Sequence, residues 1–318
     1  MKNIIGGLSR RKILAYTEVT LAVLFWGASF VATKVALQEV APVTVVWLRF
    51  GIGLIILGVA VTLRRQFTFS ERSVRIRTKD LVYLALLGFI GITFHQWLQS
   101  TGLKTAQATT SAWIVATTPV FMALLGWLVL REKLVRVQVA GIVLAAFGVL
   151  LVVSNGDLTS IGRGHFGTLG DLLVLLSALN WAIFSALSRR GLKTYPATRM
   201  IFYVMGFGWL FSSVLFFAGP GLGQLTQLSR SGWLAIGFLG VFCSGLAYIF
   251  WYDALSTLPV AQAGAFVNIE PFVTVFVAAL VLGEPLLWTS LLGGGLILVG
   301  VILVQAVHAR KVNEKGSR

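Results

Sequence analysis

The chain has 318 residues, 57% of them apolar and only 12% charged, with a formal net charge of +15 and a mean hydropathy of +0.87. A water-soluble domain sits nearer half apolar and a quarter charged, so composition excludes one. Ten membrane helices of about 20 residues use about 200 positions and leave about 118 for loops and tails, too few for a sizeable soluble domain. The lone Cys243 rules out an intramolecular disulfide, and with three histidines no classical zinc site is expected. The basic residues fall in short runs between apolar segments, the pattern that anchors helices in a bilayer rather than one that binds nucleic acid.

The start, Lys2 to Lys12, is basic and precedes an apolar run, as in a signal peptide. That run continues from about residue 15 to 37 and nine more follow, so it reads as a first transmembrane helix that is kept. In chain order the segments cover 15–37, 43–63, 81–101, 108–130, 137–154, 169–188, 199–218, 231–252, 260–282 and 286–307. Each is long enough for a membrane helix. The alternating ten-residue strands of a barrel are absent, so the expected class is all-α and polytopic. Very short links such as Gln38 to Pro42 and Gly283 to Pro285 force neighbouring helices to run antiparallel.

With ten spans and the N-terminus on the cytoplasmic side, alternate loops sort the 26 Lys and Arg unequally. Twenty-one fall on that side, Lys104, Arg163 and Arg230 on the other, and Lys34 and Arg49 inside segments. The positive-inside rule therefore puts both termini in the cytoplasm. The expected setting is an integral multi-pass protein of a bacterial inner membrane.

The chain also repeats. Pro119 is followed thirteen residues later by Glu132, and Pro271 thirteen residues later by Glu284, an offset of 152. A glycine-bearing apolar helix follows each motif. Trp26-Gly27 matches Trp181-Ala182, and Lys34 matches Arg189, at an offset of 155. The reading is two five-span units, 15–154 and 169–307, flanked by basic tails at 1–14 and 308–318. Five is odd, so the second unit crosses in the opposite sense. Inverted-topology repeats of this kind serve alternating access in secondary transporters.

These residues, in this order and spacing, resemble the EamA-type members of the drug/metabolite transporter superfamily. The motifs are Trp26-Gly27, Pro119 to Glu132, Trp181-Ala182 and Pro271 to Glu284, and the match covers almost the whole chain. The resemblance implies a helix bundle around a central cavity that mostly exports small metabolites such as amino acids.

Polar groups inside a bilayer are costly, about 2.5–3.5 kcal/mol for a central charge on the insertion scale, and mark candidate sites. His95, Gln96 and Gln99 lie in the third segment, with His95 and Gln99 one turn apart on a face. Tyr248, Trp251 and Tyr252 form a stripe in the eighth. At offset 152, Gln96 matches Tyr248 and Gln99 matches Trp251. For Tyr252 an interfacial aromatic belt is the competing reading. The ninth segment carries Asn268 and Glu270 before Pro271, and proline frees a backbone carbonyl one turn back. Glu270 reads as a cation, proton or substrate-ammonium site, or else as an ion-pair partner of Lys34 or Arg49. Trp26 and Trp181 offer aromatic faces to a solute.

The small-residue stripes Ala28, Ala32, Ala36 and Ala178, Ala182, Ala186 read as close helix packing. Lys34 is expected to snorkel to the interface, and Glu132 and Glu284 to cap helices or pair in loops. Substrate binding is thus assigned to Trp26, His95, Gln96, Gln99, Trp181, Tyr248, Trp251, Tyr252, Asn268 and Glu270.

The function expected is secondary transport, an export of a small polar or amphipathic metabolite. Its partners are that solute, the lipid bilayer and, as a candidate coupling ion, the proton, with no nucleic acid and no cofactor or metal. The oligomeric state is left open. A lipid flippase or a membrane scaffold is the alternative. No G-x-x-x-x-G-K-[ST] loop is present, so ATP does not drive the protein directly. The motifs G-x-S-x-G and H-E-x-x-H are also missing, which argues against an intramembrane enzyme.

Overall fold

The computed structural model describes residues 10–67, 76–159 and 167–316. Among these, helices and short connections account for the fold, with no β-strand. Ten helices are long and apolar enough to cross a membrane. They are α1 (Arg10–Ala36), α2 (Pro42–Leu63), α3 (Thr78–Gly102), α4 (Ala108–Val129) and α5 (Arg136–Val153), then α6 (Leu169–Thr194), α7 (Ala197–Ala218), α8 (Arg230–Leu255), α9 (Gln262–Val281) and α10 (Trp288–Ala306). The basic loop at 68–75 and residues 160–166, Arg163 among them, lie outside the described residues, as does 1–9 of the N-terminal tail.

The helix of α10 runs on without a break to Gly316.

Packing follows the sequence repeat with partners exchanged. α1 packs on α8 and α9, while α6 packs on α3 and α4. α2 lies against α8 and α7 against α3, and α5 and α10 lie against each other. The last contact explains the two glycine-bearing helices. A Cβ on Gly141 of α5 would sit 2.6 Å from the Gly300 carbonyl oxygen, and one on Gly293 of α10 would sit 2.8 Å from that of Gly148. Only glycine lets the backbones approach so closely. The alanine stripes are less uniform. Ala178 and Ala182 are buried, but Ala186 is exposed.

Irregularities also repeat in register. α4 consists of two pieces, Ala108–Val115 and Thr118–Leu130. α9 likewise divides into Val260–Val267 and Glu270–Val281. Pro119 and Pro271 stand near the start of each second piece, where a missing amide costs nothing. α3 and α8 each contain a π-helical stretch, Phe89–Phe94 and Leu239–Leu246. A widened turn leaves carbonyls poorly paired within their own helix.

Candidate functional site

Each half satisfies a carbonyl of the other half's π-helical stretch. Trp26 of α1 donates its indole N–H to the Cys243 carbonyl at 3.2 Å, within α8. Asn180 of α6 donates its amide N–H to the Ile90 carbonyl at 2.7 Å, within α3. Trp26 and Asn180 are one position from matching at the repeat offset. A buried carbonyl without a donor costs about 1–3 kcal/mol, so these bonds fix the first helix of each half against the third helix of the other.

The aromatic candidates gather around these anchors. The Trp26 ring lies 5.8 Å from that of Tyr248 and 5.3 Å from that of Trp251. His95 is buried, its Nδ1 3.1 Å from the Ser177 carbonyl, and its ring lies 4.8 Å from Trp181. Trp181, Tyr248 and Tyr252 share one apolar cluster with Phe50, Phe184 and Met205. Tyr252 is thus packed inside the bundle, against the belt reading. Gln99, Asn268 and Glu270 are half-buried. Among the described residues their side chains form no hydrogen bond or ion pair, so the structure does not join them to the other candidates.

Arg49 was not among the assigned residues, and it connects the two stripes. It is buried at 4% exposure. Its Nε donates to Ser244 Oγ at 3.1 Å, in the π-helical stretch of α8, and its Nη1 to Gln96 Oε1 at 3.2 Å, on α3. The guanidinium also lies 5.1 Å from the Phe50 ring centre. Its charge, deep in an apolar segment, marks it in the sequence as a partner for an acid or a donor to a carboxylate solute. Glu270 does not pair with Arg49.

Nor does Glu270 pair with Lys34, whose ammonium reaches the loop groups at the end of the bundle. Lys34 Nζ donates to the Ala106 carbonyl at 2.5 Å and lies 3.6 Å from Glu284 Oε1. The Glu284 carboxylate accepts the backbone N–H groups of Ala108 at 2.7 Å and Thr109 at 3.0 Å. These are the first amides of α4, which need an acceptor from outside their own helix. A carboxylate there also meets the positive end of the helix dipole. Glu284 does cap a helix, as read from sequence, but one in the other half. Its repeat partner Glu132 is exposed. Among the described residues its carboxylate makes no bond, and it folds back over Gly126 of its own helix.

Among the described residues no group of three or more His, Cys, Asp or Glu could hold a metal ion. A model of the EamA-like transporter family matches the chain twice, at residues 14–154 and 168–306. The chain belongs to the EamA-like transporter family. An uncharacterized transporter of Bacillus subtilis, YyaM, is 28% identical over 286 residues, spanning 89% of this chain and 91% of the relative. An uncharacterized transporter of Archaeoglobus fulgidus is 27% identical over 288 residues, spanning 91% and 96%. A solved crystal structure superposes with a TM-score of 0.60 over 94% of this chain and 99% of its own, at 19% identity, a likeness of fold alone. Family membership supports an integral membrane transporter that contacts lipid and carries a small molecule.

Proposed function

We propose that the protein is a secondary transporter that exports a small amphipathic metabolite, of the amino-acid kind, by alternating access across a bacterial inner membrane. Its termini face the cytoplasm and its two halves cross the membrane in opposite senses. It performs no chemistry on its substrate. One observation carries this reading. The Lys34–Glu284 clasp on the start of α4 is closed, whereas its repeat counterpart, Glu132 toward the start of α9, makes no bond among the described residues. Two equivalent clasps at opposite ends of one bundle, with one engaged, are what a rocking carrier needs in order to open one side at a time.

The solute lies between the α3 stripe of His95, Gln96 and Gln99 and the α8 stripe of Tyr248, Trp251 and Tyr252. Trp26, Trp181 and Asn268 complete the wall. Aromatic faces hold its apolar part and the amides orient its polar ends. Glu270, at the break of α9 and with no hydrogen bond or ion pair among the described residues, serves as the proton site.

Reconstituted protein should exchange labelled solute against unlabelled solute inside proteoliposomes, and Glu270→Gln should abolish pH-driven uptake while leaving exchange intact. pH-driven uptake equal to wild type in that variant removes Glu270 from coupling. Reporter fusions at Asp157 and Gly223 should face away from the cytoplasm, and one at the C-terminus should face it. A cytoplasmic signal at Asp157 breaks the inverted arrangement.

A further inference from the structure

Arg49 is a charge that the fold does not need. Burying an ion costs several kcal/mol unless a counter-charge and hydrogen bonds offset it. Here both protein partners, Ser244 and Gln96, are neutral. Among the described residues no carboxylate lies within ion-pair distance of the guanidinium. The repeat supplies an internal control. Across the offsets that relate the halves, position 49 corresponds to Ile201, Phe202, Tyr203 or Val204, all uncharged. The second half therefore packs its equivalent helix with no cation there.

The geometry is that of a receptor. A guanidinium has five N–H donors in a rigid fork. Ser244 and Gln96 take two of them and hold the plane from both sides, α8 and α3. The remaining donors have no protein acceptor among the described residues. His95 precedes Gln96 in the chain, and Tyr248 is one turn beyond Ser244 and against Trp26, so the fork lies between the two stripes assigned to the solute.

We infer that Arg49 is the anchor for a carboxylate on the transported solute, with Gln96 and Ser244 as the residues that position it. This rests on the transporter reading and adds a requirement to it: the solute must carry an anionic end, which the guanidinium receives as a paired, charge-assisted hydrogen bond. Lysine, a point charge on a flexible stem, should be a poor substitute.

The test uses the full-length protein purified in a neutral detergent, with formate, benzoate, phenylacetate and L-phenylalanine as probes and phenylacetamide as the uncharged control. The carboxylates should raise the unfolding temperature of the wild type in proportion to concentration, and phenylacetamide should not. Arg49→Gln should weaken the apparent affinity about tenfold to a hundredfold, with Arg49→Lys between it and the wild type. Without probe, Arg49→Met should unfold at the same temperature as the wild type or higher, because it removes an unpaired buried charge. The inference is overturned if the wild type answers to none of the four carboxylates. It is also overturned if Arg49→Met keeps the response, or if Arg49→Met unfolds several degrees lower without probe, the mark of a structural arginine. The transporter reading fails separately. Wild-type proteoliposomes that exchange no solute, while phenylacetate still binds through Arg49, would refute transport and leave the anion site standing.

Discussion

The two ends of the bundle are built from matching parts and are in different conditions. At the end where α1 finishes, Glu284 clasps the start of α4 and Lys34. At the end carrying the termini, Glu132 lies exposed over Gly126 and its matching cation Arg189 is exposed too. Other matched contacts are made at both ends. Glu39 of the α1–α2 turn binds Ser229 at the start of α8, and Tyr195 of the α6–α7 turn binds Asp80 at the start of α3. The same holds midway, where Trp26 and Asn180 each meet a carbonyl of a π-helical stretch. The contacts present twice, the fixtures, keep each first and second helix on the opposite half, and the one present once is the contact that the proposed alternating cycle would open and close.

The largest expected effect tests that asymmetry directly. Glu284→Ala leaves the first two amides of α4 without their acceptor and the Lys34 ammonium with the Ala106 carbonyl alone, and should cost about 1–3 kcal/mol in thermal unfolding of the purified protein. Glu132→Ala, at an exposed site, should stay within about 0.5 kcal/mol of the wild type. Equal losses would mean that both clasps are occupied alike and that no alternation is captured. On the proposed alternating cycle, exchange in proteoliposomes should slow in both variants.

The fixtures should behave as a matched pair. Trp26→Phe and Asn180→Leu each remove one side-chain donor to a backbone carbonyl, and each should cost about 1 kcal/mol. A large cost for one and none for the other would break the equivalence of the halves at their centre. Asn180→Asp offers a sharper form, because a carboxylate cannot donate to the Ile90 carbonyl.

Much of this was legible in the sequence. Ten apolar segments, the 152-residue offset between Pro119 and Pro271, and the polar stripes of α3 and α8 are one-dimensional signals, and the helices stand where those signals put them. The breaks in α4 and α9 follow from the prolines once the freed carbonyl is considered. The π-helical stretches left no such trace, because one extra residue per turn in Phe89–Phe94 or Leu239–Leu246 changes neither composition nor periodicity over so short a run. The Glu284 partner of Lys34 and the Ser244 partner of Arg49 were illegible for another reason. They lie 250 and 195 residues away, and exchange of helices between halves, rather than local spacing, brings them together. Gln99, Asn268 and Glu270 were singled out for polarity alone, and among the described residues no hydrogen bond or ion pair ties them to the other candidates.

The smallest effect concerns a fixture at the closed end. Glu39 sits in the turn between α1 and α2, outside the spans. Its carboxylate accepts the Ser229 hydroxyl at 2.6 Å, the Ser229 backbone N–H at 2.7 Å and the Ser231 hydroxyl at 3.4 Å. These bonds, the Ser229 hydroxyl first, hold its pKa below the ordinary 4.5. A carboxyl whose folded value is depressed contributes stability that is present above its unfolded value and lost as pH falls through the folded one. Glu39→Gln should therefore unfold about 1 °C lower than the wild type at neutral pH, a small gap because the site is open to water. The gap should be full above pH 4.5 and close as the pH falls below it. A gap that persists unchanged at pH 3 would show that packing of the turn, not the charge on Glu39, ties α1 and α2 to α8.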